Sequence, residues 1–474
     1  MADMKKESRL TFWESLIIML VMFGLLGTMM IKYKMTPQIP ILLTFTLLLF
    51  YGKSRGFSWN ELQQGIIDGV KPGIVPMIIF VMIGVLVSSW LMSGVIPTIM
   101  VYGLELLNVR FFLFTVFVSC CLVGVIVGSS FTTISTLGIV FMGIGQVMDI
   151  NTALTAGSIV SGSLFGNNIS PLSGTTNLST GIAGVDNVFD HIKTISHTAL
   201  PSAAIAAIIF LVAGHTGADP DMSLVQHIIN SLQSNFFVSA WMLIPIAILI
   251  LCAALQVPAI PTLLAGSITA IVMHIFIDHP KFSEISNQIM QGYTLHSSDK
   301  KINAIVSGGG VSSMLDSISL ILVALTLGGV LLKLGVVDNL IGKLQQQVNT
   351  PGKVILTSIL SAIGVNFLVG EQYISIILPG TTFRKNFEEQ NIKGQYLSRV
   401  LATGGADINA LVPWGVSGIF ISGVLGVSPL VFIPFAFYVW LNPLLTVIFG
   451  FIFGKNYQKD NQAIPSEKLA KNLD

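Results

Sequence analysis

Long apolar runs recur along this chain, and their length limits the possible folds more than any other feature. The hydrocarbon core of a bilayer is about 30 Å thick, and a helix needs roughly 20 residues to cross it. Runs that meet or approach this length lie near residues 12–31, 38–52, 73–93, 111–128, 131–148, 191–214, 236–256, 258–277, 315–334, 353–370 and 430–453. Shorter, broken apolar pieces lie at 153–165, 177–185, 372–382, 396–404 and 410–425. The runs predict an all-α polytopic membrane protein with about 11–13 transmembrane segments.

Composition supports this class and excludes others. Of 474 residues, 53% are hydrophobic and 10% are charged, whereas a soluble domain has roughly 25% charged residues. The net charge of +1 indicates no nucleic-acid partner. The three cysteines, Cys120, Cys121 and Cys252, have neither disulfide nor metal-ligand spacing. The chain also carries no nucleophile constellation or phosphate loop, so we expect neither an enzyme nor a cofactor.

Two parts of the chain repeat one another at an offset of 242 residues. The offset aligns Gly128 with Gly370, Gly162 with Gly404, Asn167 with Asn409 and Pro171 with Pro413, and an offset one residue smaller aligns Gly94 with Gly335. Several matches at one offset and in one order favour duplication. Repeats that contain broken helices are typical of alternating-access transporters. We therefore expect two repeats, inverted relative to each other, with broken helices and re-entrant hairpins.

The repeats divide the chain into five predicted parts. These are N-terminal helices at 1–60, a first repeat at 61–215, connecting helices and a polar loop at 216–303, a second repeat at 304–453 and a polar tail at 454–474.

The segment "FGNNISPLSGTTN" at 165–177 interrupts the apolar pattern where a membrane helix should continue. Non-helical backbone at bilayer depth is tolerated only where protein or a water-filled cavity supplies hydrogen-bond partners. A polar loop just outside the bilayer is the alternative, but the closely flanking apolar runs favour a broken helix. Segments 127–136 and 366–382 show a second pair of breaks. The predicted substrate or ion ligands are Asn167, Asn168, Ser170, Ser173, Thr175, Thr176, Asn177, Ser129, Ser130, Thr132, Thr133, Gln372 and Asn409.

Three acidic residues fall within the apolar runs or their breaks: Asp407, Glu371 and Asp316. Intramembrane carboxylates are energetically costly and mark candidate functional sites. A carboxylate in a partly dry site retains a proton more readily than one in water, so we predict that these three couple transport to protons. For Asp316 an interfacial position near a helix N-terminus is an equally reasonable interpretation.

Basic residues near the first two helices predict the orientation of the chain. Lys5, Lys6 and Arg9 precede the first run, and Lys53, Arg55 and Lys71 follow the second. The positive-inside rule then predicts a cytoplasmic N-terminus, although Lys32 and Lys34 lie on the opposite side.

Several segments together resemble the NhaC family of bacterial sodium/proton antiporters. They are "GSSFTTISTLGIVFMGIG", "SGSLFGNNISPLSGTTNL", "SSMLDSISLILVALTLGGVL" and "LVPWGVSGIF" with the following "VFIPFAFYVWLNPLLTVIFGF". The resemblance spans nearly the whole chain. It implies a homodimer in the plasma membrane of a bacterium, with a scaffold and a moving transport domain, and a transported ion or small solute as the partner besides protons and lipid. No metal is implied beyond a transported Na⁺.

The chain departs from the family pattern at the usual acidic positions. It has Gly166-Asn167-Asn168 where the family commonly has Gly-Asp-Lys, and Ser173-Gly174-Thr175-Thr176 where the family commonly has Ser-Asp-Thr-Thr. It reads Ala402-Thr403-Gly404-Gly405 in place of Glu-Asp-Ser-Gly, and Asp316 replaces a tryptophan. Sodium specificity therefore does not transfer directly.

The sequence predicts a secondary antiporter that exchanges Na⁺ or another small solute for protons by alternating access. The alternative is a proton-coupled transporter of an organic substrate, either a cationic drug-like molecule or malate and lactate. A passive channel is a further alternative, which a saturable exchange flux would exclude.

Overall fold

A computed structural model describes residues 10–106, 109–215, 222–255, 257–297, 302–303, 306–345, 348 and 350–457. Within these ranges the regular structure is helical, apart from one antiparallel bridge between Tyr293 and Gly308. Lys5, Lys6 and Arg9, on which the predicted orientation partly depends, lie outside the described residues, as does the tail from residue 458.

The helices of the first part of the chain lead up to and include the first repeat. They are α1 (Phe12–Gly27), α2 (Gln38–Ser54), α3 (Trp59–Val70), α4 (Ile74–Met92), α5 (Val95–Leu106), α6 (Phe112–Val127), α7 (Ser130–Thr133), α8 (Ile139–Val147), α9 (Thr152–Ile169), α10 (Gly174–Ala183) and α11 (Val188–His215). A π-helical turn, Ile134–Gly138, joins α7 to α8.

The remaining helices comprise a connecting group and the second repeat. They are α12 (Met222–Asn235), α13 (Ile244–Ala254), α14 (Ala259–Asp278), α15 (Phe282–Gln291), α16 (Val311–Lys333), α17 (Val336–Gln345), α18 (Pro351–Val369), α19 (Gln372–Glu389), α20 (Gly394–Val400), α21 (Val416–Leu425), α22 (Pro429–Phe432) and α23 (Phe437–Phe453). The segment that was predicted to be a polar loop therefore contains the amphipathic helix α15.

Among the described residues, seven helices are long and apolar enough to cross a membrane, and ten if each of three bent pairs counts as one span. The bends measure 89°, 46° and 56°. Three further apolar helices, Gln38–Ser54, Val95–Glu105 and Phe112–Val127, are shorter. The sequence-based number of 11–13 is higher because it included two of these shorter helices, near 38–52 and 111–128.

The helix boundaries confirm the repeat. The helix Ser130–Val147 corresponds to α19, and α10 corresponds to α21, with both ends of each element 242 residues apart. Gly128 and Gly370, which end α6 and α18, both adopt left-handed backbone conformations, with φ of 67° and 77°. Duplicated elements with duplicated boundaries imply that the two halves share one backbone design.

Close contact between α6 and α9 places the first two breaks side by side. Gly166 lies so near Gly124 that an added Cβ would come within 2.6 Å of the Gly124 backbone, and at Gly162 it would come within 2.4 Å of the Phe117 carbonyl oxygen. Small residues spaced four apart allow such close helix packing. The helix α9 is buried along most of its length and also packs on α8, α11 and α23.

The helix before the second break differs between the repeats. The helix α9 runs without interruption to Ile169, whereas its counterpart consists of α20, a π-helical segment at Leu401–Ala406 and a 3₁₀ segment at Asp407–Leu411. Irregular helix leaves backbone carbonyls without their usual partners, and the Asn366 side chain donates to two of them, Gly404 O at 3.0 Å and Gly405 O at 2.7 Å. The second repeat thus contains a distorted helix immediately before Asp407.

Candidate functional site

The first break of each repeat has the same construction but a different capping side chain. After the left-handed glycine, Ser129 caps α7 by accepting a hydrogen bond from Thr132 N at 3.2 Å. At the equivalent position Glu371 caps α19 by accepting from Ile374 N at 2.8 Å. Side-chain oxygens at this position satisfy N–H groups that a helix start leaves free. Glu371 is fully buried, and its Oε1 has no hydrogen-bond partner among the described residues.

The second break of the first repeat lies between α9 and α10, and its polar side chains bond to one another. Asn167 donates to Thr175 Oγ1 at 2.9 Å and accepts from Ser173 Oγ at 3.0 Å. Asn177 donates to the carbonyl oxygens of Pro171, at 2.9 Å, and Ser173, at 2.8 Å. The residues of "FGNNISPLSGTTN" therefore bond many of the backbone and side-chain groups of a broken helix, as its composition predicted.

In the second repeat Asn409 corresponds to Asn167, and its hydrogen bonds connect the two breaks of that repeat. Asn409 donates to Asn366 Oδ1 at 2.8 Å and to Gly370 O at 3.2 Å, and its own oxygen accepts from Ser417 N at 2.8 Å. Trp414 donates from its indole nitrogen to Phe367 O at 2.8 Å. These bonds use both N–H donors and one acceptor site of the buried amide, so Asn409 holds the protein together at this point and is not among the residues that line the cavity described below.

A cavity of about 620 Å³ lies where three of the four breaks meet. Seven of the predicted ligands line it: Ser129, Ser130, Thr132, Asn167, Thr175, Asn177 and Gln372. The rest of the wall includes apolar residues of α4 and the segment 257–262. None of the described residues that line the cavity is charged. The wall therefore offers hydroxyl, amide and backbone groups.

The other predicted ligands lie behind the wall and support it. Thr133 Oγ1 donates to Ser129 O at 3.0 Å, Thr176 Oγ1 donates to Asn167 O at 3.2 Å, and Ser170 Oγ accepts from Leu172 N at 3.3 Å. Ser173, the N-cap of α10, accepts from Thr176 N at 3.3 Å.

Asp407 lies in a second, fully buried polar cluster behind α9. Its Oδ2 accepts from Asn168 Nδ2 at 2.7 Å and from Asn442 Nδ2 at 3.3 Å. Both amide nitrogens also donate to the Tyr438 hydroxyl, each at 2.9 Å. All four side chains are completely buried. Because Asn167 and Asn168 are consecutive on α9, one residue lines the cavity while the next holds the buried acid.

Asp316 lies apart from both groups. It is exposed on α16 and does not line the cavity, and its backbone carbonyl accepts from Gln38 Nε2 at 3.3 Å. This placement separates Asp316 from the other two acids.

The sequence analysis missed Asn442, Tyr438 and Asn366. Each is a polar side chain within a run long enough to span a membrane, and each is fully buried. Polar residues in such runs usually have a partner inside the protein. That signal was available for Asn442, inside "FYVWLNPLLTVIFGF", but its acidic partner Asp407 lies 35 residues away in the chain.

Comparison with known proteins places the chain in a family. The pattern of the Na⁺/H⁺ antiporter family matches residues 9–215 and 218–454. The chain is 37% identical to the Na⁺/H⁺ antiporter NhaC of Alkalihalophilus pseudofirmus, over 94% of this chain and 96% of that protein. It is 32% identical to NhaC of Bacillus subtilis, over 95% and 100%.

A third relative is the malate-2H⁺/Na⁺-lactate antiporter of Bacillus subtilis, 29% identical over 98% of this chain and 100% of that protein. These relatives are membrane transporters and not enzymes. The chain therefore belongs to the Na⁺/H⁺ antiporter family.

Proposed function

We propose that this protein exchanges Na⁺ for protons across the membrane by alternating access. The observation that carries the proposal is the arrangement of the two polar groups described above. An uncharged cavity lined from three helix breaks lies on one face of α9, and the buried acid Asp407 lies on the other. Broken helices in transporters supply backbone carbonyls and helix ends that coordinate ions near the middle of the bilayer.

In this proposal the cavity binds the cation. Hard cations take oxygen ligands, and the cavity supplies them from hydroxyls at Ser129, Ser130 and Thr175 and from amides at Asn167 and Gln372. The carbonyls at the ends of α6 and α9 add backbone oxygens. No carboxylate is among the described residues that line this wall, although the backbone of Glu371 directly precedes the lining residue Gln372.

Glu371 and Asp407 carry the protons in this proposal. Both are fully buried, and neither forms an ion pair with a basic side chain among the described residues. An unpaired buried carboxylate is costly unless it binds a proton or a cation. In this proposal cation binding in the cavity and proton binding at the two carboxylates exclude each other, which is the requirement for exchange.

A second candidate is exchange of a small organic anion, as the name of the malate/lactate relative suggests. Two observations favour it. The cavity volume of about 620 Å³ exceeds what a single ion requires, and the N-termini of α7, α10 and α19 all reach the wall. Helix N-termini bind anionic substrate groups in transporters. A cationic drug-like substrate is less well served, because Asp316 lies outside the cavity.

We further propose a homodimer in a bacterial plasma membrane with a cytoplasmic N-terminus, supported by the family and by the basic residues that follow α2. The repeats at 61–215 and 304–453 are proposed to be inverted, each containing the pair of breaks described above, with 216–303 as the connection between them.

The test is proton flux in proteoliposomes with an imposed pH gradient. Na⁺, Li⁺, K⁺, lactate and malate are added in turn to the wild type, to Thr175→Val in the cavity wall and to Thr357→Val, a half-buried hydroxyl whose hydrogen bonds are to carbonyls of its own helix. We expect Na⁺ to collapse the gradient saturably, with weaker apparent affinity in Thr175→Val alone. Collapse by lactate or malate but not by Na⁺ would support the second candidate. Flux that does not saturate would contradict both.

A further inference from the structure

Two polar residues of the last helix belong to the cluster around the buried acid, although neither lines the cavity: Asn442 donates to Asp407, and Tyr438 accepts from Asn168 and Asn442. Tyr438 and Asn442 lie one turn apart on α23, which is otherwise almost entirely apolar. Both have no exposed surface. Placing an amide and a phenol in such a helix costs free energy unless both are hydrogen-bonded. Asn442 donates to Asp407 and to Tyr438, and Tyr438 also accepts from Asn168.

The four side chains are joined by four hydrogen bonds. The amide nitrogens of Asn168 and Asn442 each have two hydrogens, and each uses one for Asp407 Oδ2 and one for the Tyr438 hydroxyl. This orientation is the one expected, since an amide oxygen turned toward the carboxylate would face another acceptor. The outer oxygens of Asp407, Asn168 and Asn442 have no partner among the described residues.

The arrangement favours the ionised form of Asp407 in a place where burial favours the neutral form. Hydrogen bonds to an ionised group are roughly twice as strong as neutral ones, and two N–H donors here converge on one carboxylate oxygen. Desolvation acts in the opposite direction. Tyr438 is the other titratable group against Asp407, and the Cys121 thiol lies beside Tyr438. No basic side chain of the described residues takes part.

We propose that Asn442 and Tyr438 are positioning residues that set the proton affinity of Asp407. Asn442 supplies a donor to the ionised carboxylate, and Tyr438 aligns both amides by accepting one hydrogen from each. The inference rests on the proposed function, because it takes Asp407 as a carrier of the exchanged proton. It also links that proton to α9, since Asn168 precedes the break and follows the cavity residue Asn167.

The experiment is the pH profile of cation-driven proton exchange in proteoliposomes. The variants are Asn442→Leu, which removes the donor at similar volume, and Tyr438→Phe, which keeps the ring that packs on Phe165 at 5.5 Å. The matched control is Thr446→Val, one turn further along α23, whose hydroxyl lies 3.4 Å from that of Thr198. Asn442→Gln restores an amide donor.

We expect Asn442→Leu to move the pH of half-maximal exchange upward by roughly one unit, the effect of losing about one charge-assisted hydrogen bond. Tyr438→Phe should move it in the same direction by less, Asn442→Gln should reverse part of the shift, and Thr446→Val should leave it in place. Equal shifts in all four variants would indicate a packing effect and overturn the inference.

Asp407→Asn separates the proton role of Asp407 from the positioning role of Asn442 and Tyr438. If Asp407→Asn abolishes proton exchange while Asn442→Leu and Tyr438→Phe keep the wild-type profile, the positioning role is wrong and the proposed function stands. If Asp407→Asn keeps the wild-type profile, the proton role of Asp407 is wrong and the inference fails with it. If Asn442→Leu does not fold, Tyr438→Phe alone decides.

Discussion

The two repeats share their backbone but differ in chemistry. Both have a left-handed glycine at the end of one helix, at Gly128 and Gly370, followed directly by a residue that caps the next. In the first repeat the cap is Ser129, and the side chains around it line the cavity. In the second repeat the cap is the buried acid Glu371, and the equivalent asparagine Asn409 bonds within the protein.

We infer from this difference that the two repeats, which share one backbone arrangement, have separate roles. In the proposed function the first repeat supplies most of the neutral oxygen groups of the cavity, and the second repeat holds both buried acids. Once a duplicated backbone satisfies its own hydrogen bonds, the side chains at equivalent breaks can change independently. The following variants test whether the proton and the substrate are handled by different repeats.

Asp407→Asn should have the largest effect. Asparagine keeps the shape of the side chain but cannot carry a proton, so we expect proton-coupled exchange in proteoliposomes to fall to the level of protein-free vesicles. The control is Glu389→Gln, an exposed acid of the same repeat that lies 3.6 Å from Lys385. Exchange that survives in Asp407→Asn would mean that Asp407 does not carry the exchanged proton.

Glu371→Ser makes the cap of the second repeat identical to that of the first. Serine preserves the cap, so the protein should fold, whereas the lost carboxylate should lower exchange severalfold and alter its pH dependence. Glu371→Ala should in addition lose about 1 kcal/mol of helix-cap stability. Measuring exchange and the unfolding temperature in detergent separates these effects. An unchanged pH profile in Glu371→Ser would mean that Glu371 is only a cap.

The equivalent asparagines should respond differently to alanine. Asn167→Ala should raise the apparent KM for the substrate roughly tenfold, the equivalent of about 1.4 kcal/mol, because Asn167 lines the cavity. Asn409→Ala should instead lower the unfolding temperature, since unsatisfied buried groups cost about 1–3 kcal/mol. Substrate titrations and thermal unfolding of both variants would show this. The same response in both would contradict the division between the repeats.

The two left-handed glycines give the smallest predicted difference. Alanine in this conformation costs roughly 1–2 kcal/mol at either site. At Gly128 an added Cβ would also lie 2.7 Å from Leu172 Cβ and 2.9 Å from Ser170 Oγ, whereas at Gly370 its nearest neighbour, Trp414 O, is 3.1 Å away. We expect Gly128→Ala to unfold at a lower temperature than Gly370→Ala. If Gly370→Ala unfolds at the lower temperature instead, the break that faces the cavity accommodates an added Cβ better than the break of the second repeat does.

Much of the architecture was predictable from the sequence. Apolar runs indicate membrane spans because of bilayer thickness, and the offset of 242 residues located both pairs of breaks. Glycine, proline and polar residues within apolar runs indicate broken helices, since glycine and proline interrupt a helix and polar side chains can bond the backbone groups that the interruption frees. Seven of the thirteen predicted ligands line one cavity for this reason.

Tertiary structure decided how those residues are used. Consecutive residues on a helix point about 100° apart, so Asn167 and Asn168 face different surroundings that no local pattern distinguishes. Asn168 meets Asp407 and Tyr438 across 239 and 270 residues of chain. The sequence by itself determined the class of protein, the repeat and the places where helices break. Only tertiary packing decided which polar groups line the cavity and which acids are buried. The packing of α9 against the second repeat, which includes α23, joins segments that are distant in the chain, so no local pattern shows it.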